Sequence, residues 1–132
     1  MRAVVCAVVL FTVVGCVAST SKGVQTAQAQ TTAGPADGEK LFERRCGGCH
    51  SLDKDKEGPR LRGVYGRKAG SVPGFDYSAS LKSSAVVWDG PTLDTWLTDT
   101  DSLVKGNNME FSVRSKEERE AIITFLKSAA GR

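Results

Sequence analysis

Five consecutive residues, Cys46-Gly47-Gly48-Cys49-His50, constrain this chain more than any other stretch. Two thiols three positions apart, followed at once by an imidazole, gather three ligand-type groups within about one turn of backbone. Of the four cysteines in the chain, the other two, Cys6 and Cys16, fall in an apolar leading run, and His50 is the single histidine. A structural zinc site takes four Cys or His ligands, so one built here would have to borrow a carboxylate. A thiol–disulfide exchange pair normally sits in a βαβ setting, and no such alternation surrounds this segment. What the Cys-x-x-Cys-His string matches is the attachment signature of a c-type haem. The spacing has a physical reason: two thiols so placed at a helix end both reach the two vinyl groups of one porphyrin. The next residue then points its imidazole at the iron from the same side. Gly47 and Gly48 leave room for the backbone to pass close to the ring.

The beginning of the chain agrees with that reading. Met1-Arg2 gives a minimal positive start, and Ala3 to Ala18 is a nearly unbroken apolar run. It is short for a membrane span, which needs about 20 residues, but suits the apolar region of an export signal. Two exits are legible. Ala27-Gln28-Ala29 is a small-x-small cleavage site, and Val13-Val14-Gly15-Cys16 resembles a bacterial lipobox whose Cys is lipidated. The chain therefore divides into an export signal at 1–18 (to 29 if cleaved after Ala29), a polar linker at 19–35 and a folded domain at 36–132. The domain is expected in the periplasm, either soluble or lipid-anchored through Cys16. Haem is attached on that side of the bacterial membrane, and in an oxidising compartment unattached thiols would pair.

A domain this small buries only roughly 60–65% of its chain surface and often needs a staple. Its 14 glycines and 7% aromatic content suggest loops wrapped around a bound group rather than a large core of its own. All 15 acidic residues lie from Asp37 onward, whereas Arg2 and Lys22 precede it, so the domain is almost neutral. That leaves no electrostatic footprint for a nucleic acid. Helical spacing places a first helix from Ala36 or Asp37 to Cys46. Ser51 to about Pro73 is Gly- and Pro-rich loop. A short helix is expected over Ser78–Ser83, and another after Asp89-Gly90-Pro91 carrying Leu93, Trp96 and Leu97. The last helix starts with Ser115 and Glu118 as a capping box. It continues with Ala121, Ile122, Phe125, Leu126 and Ala129 on one stripe. With no alternating run long enough for a strand, the class is all-α with long loops.

If His50 takes one face of the iron, the other needs a ligand. No second His exists, and once Met1 leaves with the signal Met109 is the last methionine. It sits in the loop Lys105-Gly106-Asn107-Asn108-Met109, where a core-filling Met would be out of place. His/Met ligation closes both axial positions and favours a high potential, because the weak thioether donor stabilises ferrous iron. A closed site suits electron transfer and is poor for oxygen binding.

From about Gly34 onward the chain resembles the class I c-type cytochromes, close to the mitochondrial cytochrome c and bacterial cytochrome c2 type. The resemblance rests on Cys46-Gly47-Gly48-Cys49-His50 and on Gly58-Pro59-Arg60-Leu61-Arg62-Gly63-Val64-Tyr65-Gly66-Arg67-Lys68-Ala69-Gly70. It also rests on Pro73-Gly74-Phe75-Asp76-Tyr77 and on Trp88. It implies the class I fold: a few helices and long loops around one covalent haem c. It implies that the Pro59 carbonyl accepts the His50 imidazole N–H. Arg67, Tyr77 and Trp88 inherit a haem-propionate environment, and Gly38, Phe42 and Phe125 a helix crossing. Four positions depart from the family pattern. Lys105 and Asn107 stand where the family usually has Pro and Thr. The Asn107 amide is the candidate replacement for that Thr's hydrogen bond to a propionate. Trp96 takes the place of a Tyr that usually faces the Met sulfur, and Leu81 that of an Asn beside a buried water.

The leading expectation is a monomeric electron carrier between redox proteins. Such partners would be membrane respiratory or photosynthetic complexes or a periplasmic oxidoreductase. A haem enzyme of peroxidase type, working through a labile Met109 bond, is the second reading. A dedicated electron-entry subunit of one oxidoreductase is the third. Arg44, Arg45, Lys54, Lys56, Arg60, Arg62, Arg67 and Lys68 form either a basic docking rim or a solvated charged face shared with Asp53, Asp55 and Glu57.

Overall fold

The computed structural model describes residues 35–131; the export signal, the Cys16 and Ala29 sites and most of the linker lie outside the described residues. Helix α1 spans Pro35–Arg45, with Asp37 in its first turn and Arg44 and Arg45 in its last. Both charge placements favour the helix dipole. Its inner face buries Phe42. The helix stops one residue before the expected Cys46, and the chain tightens into a turn in which the Cys49 and His50 N–H groups both donate to the Cys46 carbonyl, at 3.1 and 2.8 Å.

From Ser51 to Ser78 the chain is loop. It is held by backbone bonds, among them Leu61 N–H to Ser51 O at 2.9 Å and Trp88 N–H to Arg67 O at 2.9 Å. Among the described residues one isolated bridge, Lys68 to Val87, is the only β pairing. Gly70 has φ of +66° and lies against the Leu81 carbonyl, where a Cβ would not fit. Helix α2, Ala79–Ser83, starts at Ser78, whose side chain accepts from the Leu81 N–H. Helix α3, Gly90–Thr98, carries a complete capping box between Asp89 and Thr92 and buries Leu93, Trp96 and Leu97. A single further turn, α4, Thr100–Leu103, is capped by Asp99. Four residues are too few to show a period, so the sequence gives no sign of it.

Helix α5, Lys116–Ala129, buries the expected stripe Ala121, Ile122, Phe125, Leu126 and Ala129. Its capping box is only half formed. The Ser115 hydroxyl accepts from the Glu118 N–H at 3.2 Å, but the Glu118 carboxylate pairs with Arg45 at 2.9 Å instead of returning to the cap. Glu118 thereby ties the start of α5 to the end of α1. The two helices cross at Gly38, where a Cβ would overlap the Ala121 carbonyl and lie 2.8 Å from the Phe125 Cβ. The Phe42 and Phe125 rings meet beside it, 5.3 Å between centroids. Arg119 is buried, its charge met by Asp94 at 2.7 Å and its second arm by the Val113 and Arg114 carbonyls at 2.9 and 3.1 Å. This fixes α5 to α3 and to the segment that leads away from Met109.

Candidate haem site

Cys46 and Cys49 are both free thiols and differ in setting. Cys46 is half-buried at the end of α1, and burial pushes its thiol up to about 11. Cys49 is exposed, and its thiol is raised by a hydrogen bond to the Glu57 carboxylate at 3.5 Å. Neither is a thiolate at neutral pH. Disulfide-exchange cysteines work with a lowered thiol, so the electrostatics here run against that chemistry. No group of three His, Cys, Asp or Glu among the described residues could hold a metal ion by itself.

His50 is fixed more tightly than its neighbours. Its Nδ1 lies 2.8 Å from the Pro59 carbonyl, which can only accept, so Nδ1 carries the proton and Nε2 keeps its lone pair. Burial pushes the imidazole below its usual range, with the Pro59 bond opposing, which favours the neutral, ligating form. Gly58 lies flat against the ring: a Cβ there would sit 2.6 Å from Nδ1 and 2.7 Å from Nε2. The Gly58 N–H donates to the Cys49 carbonyl at 2.8 Å, which locks this wall to the Cys-x-x-Cys turn. Gly58 is a site residue by contact, and the Gly58-Pro59 pair beyond the histidine was its only sequence signal.

Met109 is half-buried, and both ends of its peptide unit are held. Its N–H donates to Asn107 Oδ1 at 2.7 Å, and its carbonyl accepts from the Thr100 hydroxyl at 2.6 Å. Thr100 is buried and was not singled out from the sequence. The Asn107 amide nitrogen donates to Asp101 Oδ1 at 3.1 Å and to the Val104 carbonyl at 2.9 Å. Both amide hydrogens are thus engaged inside the loop.

Trp88 and Trp96 are buried against each other, 5.2 Å between ring centroids. Arg67 is half-buried and donates to the Arg60 and Arg62 carbonyls, each at 3.0 Å. It braces the loop that carries Pro59. Tyr77 stacks edge-on to Phe75 at 4.8 Å, and burial raises its phenol. Cys46, Leu61, Tyr77 and Met109 all pack as partly buried side chains against one core cluster that contains Trp88 and Trp96. Two thiols, an oriented imidazole, a thioether and an incompletely covered apolar shell are the donor set and the setting that a covalent haem requires, so the residues fit the group.

The family model for cytochrome c matches residues 35–130. The chain belongs to the class I c-type cytochromes. Cytochrome c of Sesamum indicum is 40% identical over 96 residues, covering 70% of this chain and 86% of the relative. Cytochrome c of Euglena viridis is 43% identical over 94 residues, covering 69% and 92%. Among solved structures, cytochrome cH from Methylobacterium extorquens superposes with a TM-score of 0.67 at 38% identity, over 71% of this chain and 97% of that one. The helical fold with long loops is that of the family. As a cytochrome c the protein binds covalent haem c with its iron and serves haem-based electron transfer between redox proteins, as a carrier rather than an enzyme.

Proposed function

We propose that the protein carries one haem, joined through thioether bonds at Cys46 and Cys49, with His50 and Met109 as axial ligands. In this reading it passes single electrons between redox partners outside the cytoplasm. The observation that carries the reading is the His50 wall. An imidazole whose Nδ1–H is committed to the Pro59 carbonyl, and whose ring is backed by Gly58, offers Nε2 in one direction only. Bound there, the haem supplies an iron that takes up and releases one electron. The chain's own residues do the rest. Pro59 and Gly58 keep the imidazole from turning, and Thr100 and Asn107 hold the Met109 backbone. Trp88, Trp96 and the surrounding core exclude water, while Arg67 and Tyr77 provide the polar edge for the propionates. A site closed on both axial sides changes little in geometry with oxidation state, which favours a carrier over a ligand-binding protein.

The periplasm suits this chemistry, with the domain free or tethered through a lipidated Cys16, and it would act as a monomer. No helix among the described residues is long and apolar enough to cross a membrane. The partners in view are membrane respiratory or photosynthetic complexes or a periplasmic oxidoreductase. Intact-mass spectrometry after denaturation and acid–organic extraction tests the reading. A chain that keeps one haem's mass supports it and also reports the processed N-terminus and any lipid. A chain that loses the haem removes Cys46 and Cys49 as anchors.

A further inference from the structure

The loop that carries Met109 is built differently from what its residues alone would hold in place. Lys105 and Gly106 open it, and Gly106 takes φ of +75°. Neither restricts the backbone as a proline would. Lys105, Gly106 and Asn108 are exposed, so little apolar burial pins the segment. A compact set of side-chain bonds stands in. Asp101, on the α4 turn, accepts from the Gly106 N–H at 3.2 Å and from Asn107 Nδ2 at 3.1 Å with the same oxygen, Oδ1. Asn107 in turn donates to Val104 O and accepts from Met109 N–H. The Thr100 hydroxyl takes the Met109 carbonyl, and the Ser80 hydroxyl of α2 takes the Gly106 carbonyl at 2.7 Å. Asn107 is the centre of this set: one side chain bonds the residue it must hold, the carboxylate below and the carbonyl behind.

We propose that Asp101 and Asn107 are positioning residues, a clasp that holds the Met109 thioether at the iron and sets how readily an outside ligand displaces it. The proposal rests on Met109 being the sixth ligand. It follows from the balance of chain entropy. A loop with a positive-φ glycine and no proline loses more conformational freedom when it is fixed, and the side-chain hydrogen bonds offset that cost. Because Asp101 bonds Asn107 as well as the Gly106 N–H, the effects of Asp101 and Asn107 should be coupled and less than additive.

The test is the affinity of the ferric holoprotein for free imidazole, read beside its near-infrared sulfur-to-iron band at neutral pH. In the unaltered protein the band should be present; its absence would overturn the reading of Met109 as ligand and the clasp with it, whereas a present band with unaltered affinities would overturn the clasp alone. With the band present, Asn107→Ala should weaken it and raise imidazole affinity by about tenfold, the loss of two to three modest hydrogen bonds. Asp101→Ala should raise it about threefold, and the double variant by less than the product of the two single effects. Asn108→Ala, in the same loop and exposed, should leave affinity unchanged. If Asn107→Ala does not fold, Asn107→Ser keeps a short polar side chain in the loop, loses the reach to Asp101 and Val104, and should shift affinity in the same direction. An Asn107 variant with unaltered affinity, an Asn108 variant with an equal rise, or strictly additive Asp101 and Asn107 effects would each overturn the clasp.

Discussion

Gly58→Ala should be among the most damaging single-methyl additions this domain can receive. The methyl would lie 2.6 Å from Nδ1 and 2.7 Å from Nε2 of His50, against an ordinary contact distance of about 3.5–4.0 Å. Two responses are open. If the ring stays, overpacking costs roughly 1–3 kcal/mol. If the ring moves, the 2.8 Å bond to the Pro59 carbonyl is lost, at about 1 kcal/mol more. The two courses span roughly 1–4 kcal/mol, or a fall in Tm of roughly 4–30 °C for a domain of this size. Gly131→Ala is the control. It lies away from the haem segments, has no heavy atom within 4 Å of the added Cβ, and does not take a positive φ. It should be neutral, or stabilising by up to about 1 kcal/mol through the unfolded chain. Thermal melts of the two holoproteins, with their ferric absorption spectra, decide the matter. Equal midpoints for the two variants, or an unshifted Gly58→Ala spectrum with an unshifted melt, would refute the claim that Gly58 backs the imidazole.

Two further outcomes follow from the charges. Burial raises the Tyr77 phenol above its ordinary value of 10.0, with the Val72 backbone and Arg67 opposing. The folded protein then holds a proton that the unfolded chain releases, so stability should fall as pH climbs beyond 10.0. Tyr77→Phe should flatten that fall in denaturant titrations, and an unchanged slope would contradict it. Of the basic residues near the haem segments, Arg45 pairs with Glu118, Arg60 with Asp55 and Arg62 with Asp53, while Arg67 turns inward to carbonyls. Electron transfer with an acidic partner should therefore slow by less than about threefold as salt rises from ~0.01 to ~0.1 M, in stopped-flow measurements. A tenfold or greater loss would show an open basic rim.

The parts of this protein that were legible in the sequence are those whose signal is local. Cys46, Cys49 and His50 fall within five residues, and their turn closes on the Cys46 carbonyl. The α5 stripe repeats at helical spacing and is buried as expected. The crossing of Gly38, Phe42 and Phe125 joins distant residues, and it came from family resemblance rather than from any period. What stayed hidden depends on partners far along the chain. Glu118 carries the sequence of a reciprocal cap, yet an arginine 73 positions away offers a full positive charge and two donors, where the cap's neutral N–H offers one. Arg119 reads as one more cation in a charged first turn. Its burial follows from Asp94, 25 positions away, and from two carbonyls that no pattern announces. Asn107 occupied a position the family uses for a propionate, and only the geometry shows its amide turned into the loop. Gly58 had its signal in plain view, but a glycine's value lies in what a side chain would strike, and that is a property of the folded molecule.

The central claim, a haem iron closed by His50 and Met109, meets its most direct test in the near-infrared spectrum of the ferric protein and of Met109→Ala, taken at or below neutral pH. Lys105, exposed in the same loop, carries an amine that is the nearest rival for the vacated position in sequence. The unaltered protein should show a sulfur-to-iron band. Met109→Ala should lose that band, have a lower reduction potential as the weak thioether donor is removed, and bind cyanide or imidazole faster. A Met109→Ala protein that keeps the original band and potential would contradict the claim, and the iron would then have to be closed by another group or left open.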